Sequence, residues 1–147
     1  MADRDPITCH VLNTLNGTPA AGLSCTLTLI RTELPEKTSL SPQTPTFHAT
    51  TDSDGRVKTW LPSDPSPSHA SLNLVFAAIP GADEIRTVWS LRIDNVGKWY
   101  EERGVESFWP EVEVKFVVNG KESEAGWRHY HVPVLLGPWN YSTYRGS

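Results

Sequence analysis

No hydrophobic run in this sequence is long enough to span a bilayer. The longest apolar stretch, Leu72 to Ile79, is interrupted by Asn73 and falls far short of the roughly 20 residues that a membrane helix needs. Positive charge is also scarce: 13 Lys and Arg stand against 17 Asp and Glu, a formal net charge of −4. No basic patch interrupts this balance, so the electrostatic footprint of a nucleic-acid binder is missing. The segment from Met1 to Pro6 has no apolar core of the kind a secretory signal requires, and an intracellular protein is expected. Cysteine is limited to Cys9 and Cys25. They fall in different predicted strands, and in a reducing compartment free thiols are expected rather than a disulfide.

What is present points to one globular domain spanning 1–147. The 147 residues are 38% hydrophobic and 20% charged, enough to bury a core without staples. Twelve prolines argue against long helices and for strands joined by rigid turns. Leu23 to Ile30 alternates as a half-buried strand should, and Val112 to Val118 does the same. Strands are also expected over Ile7–Leu12, Phe47–Thr51, Val57–Leu61, Asn73–Ala78, Ile85–Ile93, Trp127–Leu136 and Trp139–Tyr144. Asn16-Gly17, Asp52-Ser53-Asp54-Gly55, Asn119-Gly120 and Gly137-Pro138 read as turns. Leu34–Pro45 and Pro62–Ser71 read as loops. One helix is expected where Val96, Trp99 and Tyr100 share a face, with Asp94 or Asn95 capping its start and Gly104 ending it. About eight strands and one short helix make a mostly-β chain, with a two-sheet antiparallel β-sandwich as the natural architecture.

Few residues carry chemistry. His129 and His131 are two apart in a predicted strand, so they share a face with Pro133 and Leu135, while Tyr130, Val132, Val134 and Leu136 turn to the core. From spacing alone, an outward pair of histidines is most simply a solvated pair. A metal fragment is the sharper alternative, and His10 or Cys9 would have to complete it. His10 shares its face with Thr8 and Leu12, and Arg56 follows a turn; singly, neither demands a function. The tail is less ordinary. An aromatic strand runs almost to the end and then stops at Tyr144-Arg145-Gly146-Ser147, where chain ends usually fray. It is expected to pair antiparallel with the strand bearing His131, placing Ser142 and Tyr144 on the histidine face and holding the carboxylate of Ser147 near it.

The stretch His129-Tyr130-His131-Val132-Pro133-Val134-Leu135-Leu136-Gly137-Pro138-Trp139-Asn140-Tyr141-Ser142-Thr143-Tyr144-Arg145-Gly146-Ser147 resembles the C-terminal signature of the 5-hydroxyisourate hydrolases, the enzymatic branch of the transthyretin family. Ile7 to Asn13 with Gly17 to Gly22 is similar to that family's first strand and turn. Thr51 to Arg56 is similar to its arginine-bearing turn, and Phe108 to Val112 to the entry of its sixth strand. Leu34–Pro45 and Pro62–Ile85 look longer than is usual there. Gly137 stands for the more usual serine and Asn13 for the more usual aspartate.

The resemblance implies a transthyretin-like fold and hydrolysis of 5-hydroxyisourate, on the path from urate to allantoin. It implies catalytic roles for His10, Arg56, His131 and Ser147, with Tyr144, Arg145 and His129 binding the substrate. It implies no metal and no cofactor, a small purine-derived substrate, and a homotetramer assembled as a dimer of dimers with sites opening between the dimers. Neither nucleic acid nor membrane is an expected partner, and a cytoplasmic or peroxisomal location is expected. Three alternatives stand beside it: a transthyretin-like carrier without catalysis, a metal-binding sandwich using His129, His131 and His10, and a structural sandwich with no site.

Overall fold

Alternation of apolar and polar side chains builds two sheets that face each other. The computed structural model describes residues 4–33, 44–63, 71–79, 85–121 and 127–146. Ser147 and most of the two expected long loops lie outside the described residues. Among the described residues the first sheet contains β1 (Ile7–Asn13), β2 (Thr18–Pro19), β5 (Arg56–Val57), β9 (Tyr130–Leu136) and β10 (Tyr141–Thr143). The second contains β3 (Ser24–Glu33), β4 (Thr46–Thr50), β6 (Leu61–Pro62), β7 (Arg86–Ile93) and β8 (Val112–Asn119), in the order β6-β4-β3-β7-β8. The mostly-β two-sheet sandwich expected from the sequence is therefore the observed architecture. One pairing departs from the antiparallel rule: β1 runs parallel to β9, from Ile7 beside Tyr130 to Asn13 beside Leu136.

The core lies where the alternation places it. Ile7, Cys9 and Val11 of β1 and Val132, Val134 and Leu136 of β9 turn inward. Cys25, Leu27 and Leu29 of β3 and Trp89, Leu91 and Ile93 of β7 line the opposite wall. Each such side chain contributes about 1.5–3 kcal/mol on burial, so slipping β1 or β9 by one residue would expose a whole row of them. Cys9 and Cys25 are both buried free thiols, as expected.

Two helices accompany the sheets among the described residues. The expected one is α2 (Val96–Glu101), with Val96, Trp99 and Tyr100 buried. Asn95 occupies its cap position in a left-handed conformation without a side-chain cap bond, and Asp94, the other expected cap, accepts from Thr26 and Arg92 instead. The other corrects the strand expected over Asn73–Ala78, which is a helix, α1 (Leu72–Ala78). Its buried residues Leu72, Val75 and Phe76 follow the helical spacing i, i+3, i+4, and the hydroxyl of Ser71 accepts from the Leu74 N–H at its start. Strand boundaries also contract. The strand expected over Val57–Leu61 is two short pieces, β5 and β6, and the terminal strand is confined to Tyr141–Thr143.

Helix α2 anchors the sheet that carries the histidines. The Tyr100 hydroxyl, deep in the core, lies 2.7 Å from Asn13 Oδ1 and 3.1 Å from the Leu136 carbonyl oxygen. Burial pushes the phenol up to about 12, so it stays protonated and donates to one of these two acceptors at a time. They sit opposite each other at the ends of the parallel β1–β9 pair.

Candidate active site

The pairing of β1 with β9 on one side and β5 on the other places three candidate residues on one outer face. Register sets Thr8 beside His131 and His10 beside Pro133. On the other side of β1, His10 pairs with Arg56 of β5. The His10 and His131 rings are 6.5 Å apart between centroids and inclined by 30°. A cavity of about 390 Å³ opens over this face, and His10, Arg56, His131, Tyr144 and Gly146 are part of its wall.

The turn before β5 is built to present Arg56. Asp52 Oδ1 accepts from the backbone N–H groups of Asp54 and Arg56, both at 2.9 Å. These bonds hold the Asp52 carboxyl below its usual range, against a smaller opposing effect of burial. Gly55 has φ +75°, and a Cβ there would overlap the Val11 carbonyl oxygen, so the turn closes against β1 only with glycine at this position.

The tail is fastened back onto β9. β10 pairs antiparallel with β9, and Ser142 faces Leu135, the arrangement expected from alternation. The Gly146 N–H donates to the His131 carbonyl at 2.8 Å, and the Thr143 hydroxyl donates to the Pro133 carbonyl at 2.8 Å. Pro133, though on the outer face, is consequently buried. A Cβ on Gly146 would sit 2.9 Å from Pro133 Cγ and 3.0 Å from His131 Cδ2. Ser147 follows directly after Gly146, outside the described residues.

The electrostatics favour neutral imidazoles beside fixed cations. Burial, then the Arg56 guanidinium, lowers the pKa of His10, opposed by weaker contributions from Asp54 and Asp52. Burial, then Arg56, then His10 and Arg4 lower that of His131. The cavity wall also carries Arg4, Lys58 and Thr8, which sequence reasoning missed. Alternation could have found two of them: Thr8 shares the face of His10, and Lys58 lies two residues after Arg56. Arg4 lies before the first strand and gives no such signal. Among the described residues the wall carries three cations and no Asp or Glu side chain, a lining that suits an electron-rich or anionic small molecule. Neutral histidines can accept a proton there, and a guanidinium can hold a developing oxyanion.

Two residues that the resemblance assigns to the substrate make other contacts within the chain. The Arg145 guanidinium sits 4.1 Å from the centre of the Tyr130 ring and donates to the Gly146 carbonyl. His129 lies beside Thr8 and is not among the wall residues. Among the described residues no three His, Cys, Asp or Glu side chains cluster as metal ligands would. No described helix is long and apolar enough to cross a membrane.

A family model described as the HIUase/Transthyretin family matches residues 7–146. The chain is 38% identical to a 5-hydroxyisourate hydrolase of Mus musculus over 99% of its own length and 98% of the relative's. It superimposes on a 5-hydroxyisourate hydrolase of Klebsiella pneumoniae with a TM-score of 0.57 and 25% identity, covering 96% of this chain and 97% of the other. A transthyretin of Sparus aurata superimposes with a TM-score of 0.61 at 17% identity, covering 97% of each, a likeness of fold alone.

Proposed function

The chain belongs to the HIUase/Transthyretin family, and on that footing we propose that it hydrolyses 5-hydroxyisourate to 2-oxo-4-hydroxy-4-carboxy-5-ureidoimidazoline in urate degradation. The observation that carries this reading is the convergence of His10, Arg56 and His131 on one cavity.

The chemistry follows from those groups. A water attacks the ring carbonyl, a C–O bond forms, and the proton released goes to the His131 imidazole. Charge collects on the carbonyl oxygen, where Arg56 stabilises it. The ring C–N bond then breaks, and a proton returned through His10 completes the leaving nitrogen. The water's protons end on the products, both histidines finish neutral, and no metal is needed. Tyr144, in the cavity wall, contacts the substrate. Arg145, braced on Tyr130, holds the tail rather than the ligand.

Absorbance of freshly made 5-hydroxyisourate tests the reading. Decay accelerated well beyond the spontaneous rate is expected, and it should be unchanged after dialysis against a strong chelator. Binding without turnover would favour the carrier, and loss on chelation restored by zinc would sink the metal-free scheme.

Ser147 belongs to this site in the proposal because Gly146 is bonded to the His131 backbone. A few glycines and serines added after Ser147 should lower turnover at least about tenfold, since small misplacements at a site are costly. The same extension before Met1 should not. Normal turnover of the C-terminally extended protein would remove Ser147 from the site.

A homotetramer, a dimer of dimers, is also proposed. Phe108 is 72% exposed, Tyr144 61% and Trp139 60%, a large aromatic surface for a lone subunit. Among the described residues β8 and β10 each end a sheet, with no strand paired on the outer edge. Light scattering at micromolar concentration should report four subunits. A fully active monomer would refute this.

A further inference from the structure

Thr8 is buried, 4% exposed, and its hydroxyl touches two imidazoles. Oγ1 lies 2.8 Å from His131 Nδ1 and 2.8 Å from His129 Nε2. A hydroxyl carries one proton and donates to one acceptor at a time. Thr8 Oγ1 has no other hydrogen-bond partner among the described residues, so its proton goes to one of these nitrogens and the other nitrogen, protonated, donates to it. Two arrangements satisfy this. In the first, His131 Nδ1–H donates to Oγ1 and the hydroxyl donates to His129 Nε2. His131 then keeps a bare Nε2 and can accept a proton there. In the second, every bond is reversed. His131 then carries its proton on Nε2 and is no longer a base.

The chemistry separates the two. Once His131 has taken a proton on Nε2, both of its nitrogens carry hydrogen, and Nδ1–H must donate. Only the first arrangement accommodates the charged imidazole without rotating the hydroxyl. His129 suits the far end of the chain. Burial, with Arg4, His131 and Arg145 nearby, lowers its pKa to about 4, so the ring is neutral and, with its single proton on Nδ1, can accept at Nε2. Thr8 suits the middle: it is opposite His131 in the β1–β9 register, and its branched side chain has a stiff χ1.

We propose that Thr8 is a positioning residue, and that the chain from His131 Nδ1–H through Thr8 Oγ1–H to His129 Nε2 holds His131 in the tautomer that can act as a base. The proposal rests on the reading of His131 as the base. It moves His129 from the substrate, where the family resemblance placed it, to a position behind His131.

Nitrogen-15 NMR of labelled, ligand-free protein tests it, because a bare and a protonated ring nitrogen resonate far apart. The parent protein should hold His131 with Nδ1 protonated and Nε2 bare. Thr8→Val keeps the shape and removes the hydroxyl. It should shift His131 toward the Nε2–H form and lower kcat by about tenfold or more with KM nearly unchanged. The wrong tautomer of a catalytic imidazole can cost up to about 10⁴. Thr8→Ser should restore the parent tautomer and most of kcat. His129→Ala, at a partly exposed position, should also disturb the tautomer, and combining it with Thr8→Val should add little further loss. A parent spectrum with bare Nδ1 on His131 would overturn the proposal without any variant. So would a Thr8→Val protein with parent tautomer and kcat, or one altered only in KM. A switched tautomer with unchanged kcat would instead overturn His131 as the base and leave the relay standing.

Discussion

Turnover of 5-hydroxyisourate is expected to fall by about 10²–10⁴ when His131 is replaced by alanine, the usual range for a positioned acid or base. His10→Ala is expected to cost at least about a hundredfold for the same reason. Neither loss should come from unfolding. Both rings lie on the outer face of the sheet, half-buried, while the core contacts of their strands belong to Cys9, Val11, Val132 and Val134. Steady-state kinetics beside a urea titration of each variant separates chemistry from stability. A variant that retained near-parental kcat would remove that histidine from proton transfer. The two histidines lie in adjacent strands of one cavity, so the double variant should be far less than multiplicatively worse.

Arg56→Ala should lose about 10²–10³ in turnover, the usual cost of one oxyanion donor, and should also change the pH profile. Burial and then Arg56 hold both His10 and His131 below the ordinary histidine value of 6.5. The acid limb of kcat/KM in the parent therefore lies below 6.5, where the histidines begin to charge. Without the guanidinium their pKa values rise, and the limb should move up toward 6.5. The same lowered values make the fold lose stability as pH falls through 6.5, because the unfolded chain takes up protons first. This loss should be smaller in Arg56→Ala. An unchanged acid limb would mean that the titrating group is neither histidine. Arg56→Lys should recover part of the pH behaviour and less of the turnover, since an ammonium keeps the charge but not the planar fork.

The inward and outward faces of the histidine strands were legible because period two leaves little choice. Ile7, Cys9 and Val11 turn inward, with Val132, Val134 and Leu136 beside them, and the histidines must then face out. The antiparallel return of β10 was legible from Gly137-Pro138. What brings His10, Arg56 and His131 together was not. Arg56 meets His10 through a two-residue strand, too short to leave a periodic signal. The parallel β1–β9 pair joins residues with no local cue that they meet. Thr8 stayed hidden because a threonine in a strand is ordinary until both of its partners are known. Helix α1 was misread although Leu72, Val75, Phe76 and Ile79 keep a helical period. In a chain of strands a short apolar run of strand-like length reads as one more, and only the helical period and the Ser71 cap argue otherwise.

The parallel pair also governs when the protein becomes competent. Thr8 and His131 are 123 residues apart in the chain, so during synthesis the inner edges of β1 wait for almost the whole polypeptide to emerge. The remainder of the sandwich, β3 with β4 and β7 with β8, closes over shorter loops and is free to form first. Activity should therefore arrive last in refolding, after the fluorescence change of Trp89 in the β3–β7 half. Until then the edge of β1 that takes β9 is open, although β2 and β5 can already pair with the other edge, and self-association during folding should begin at that open edge.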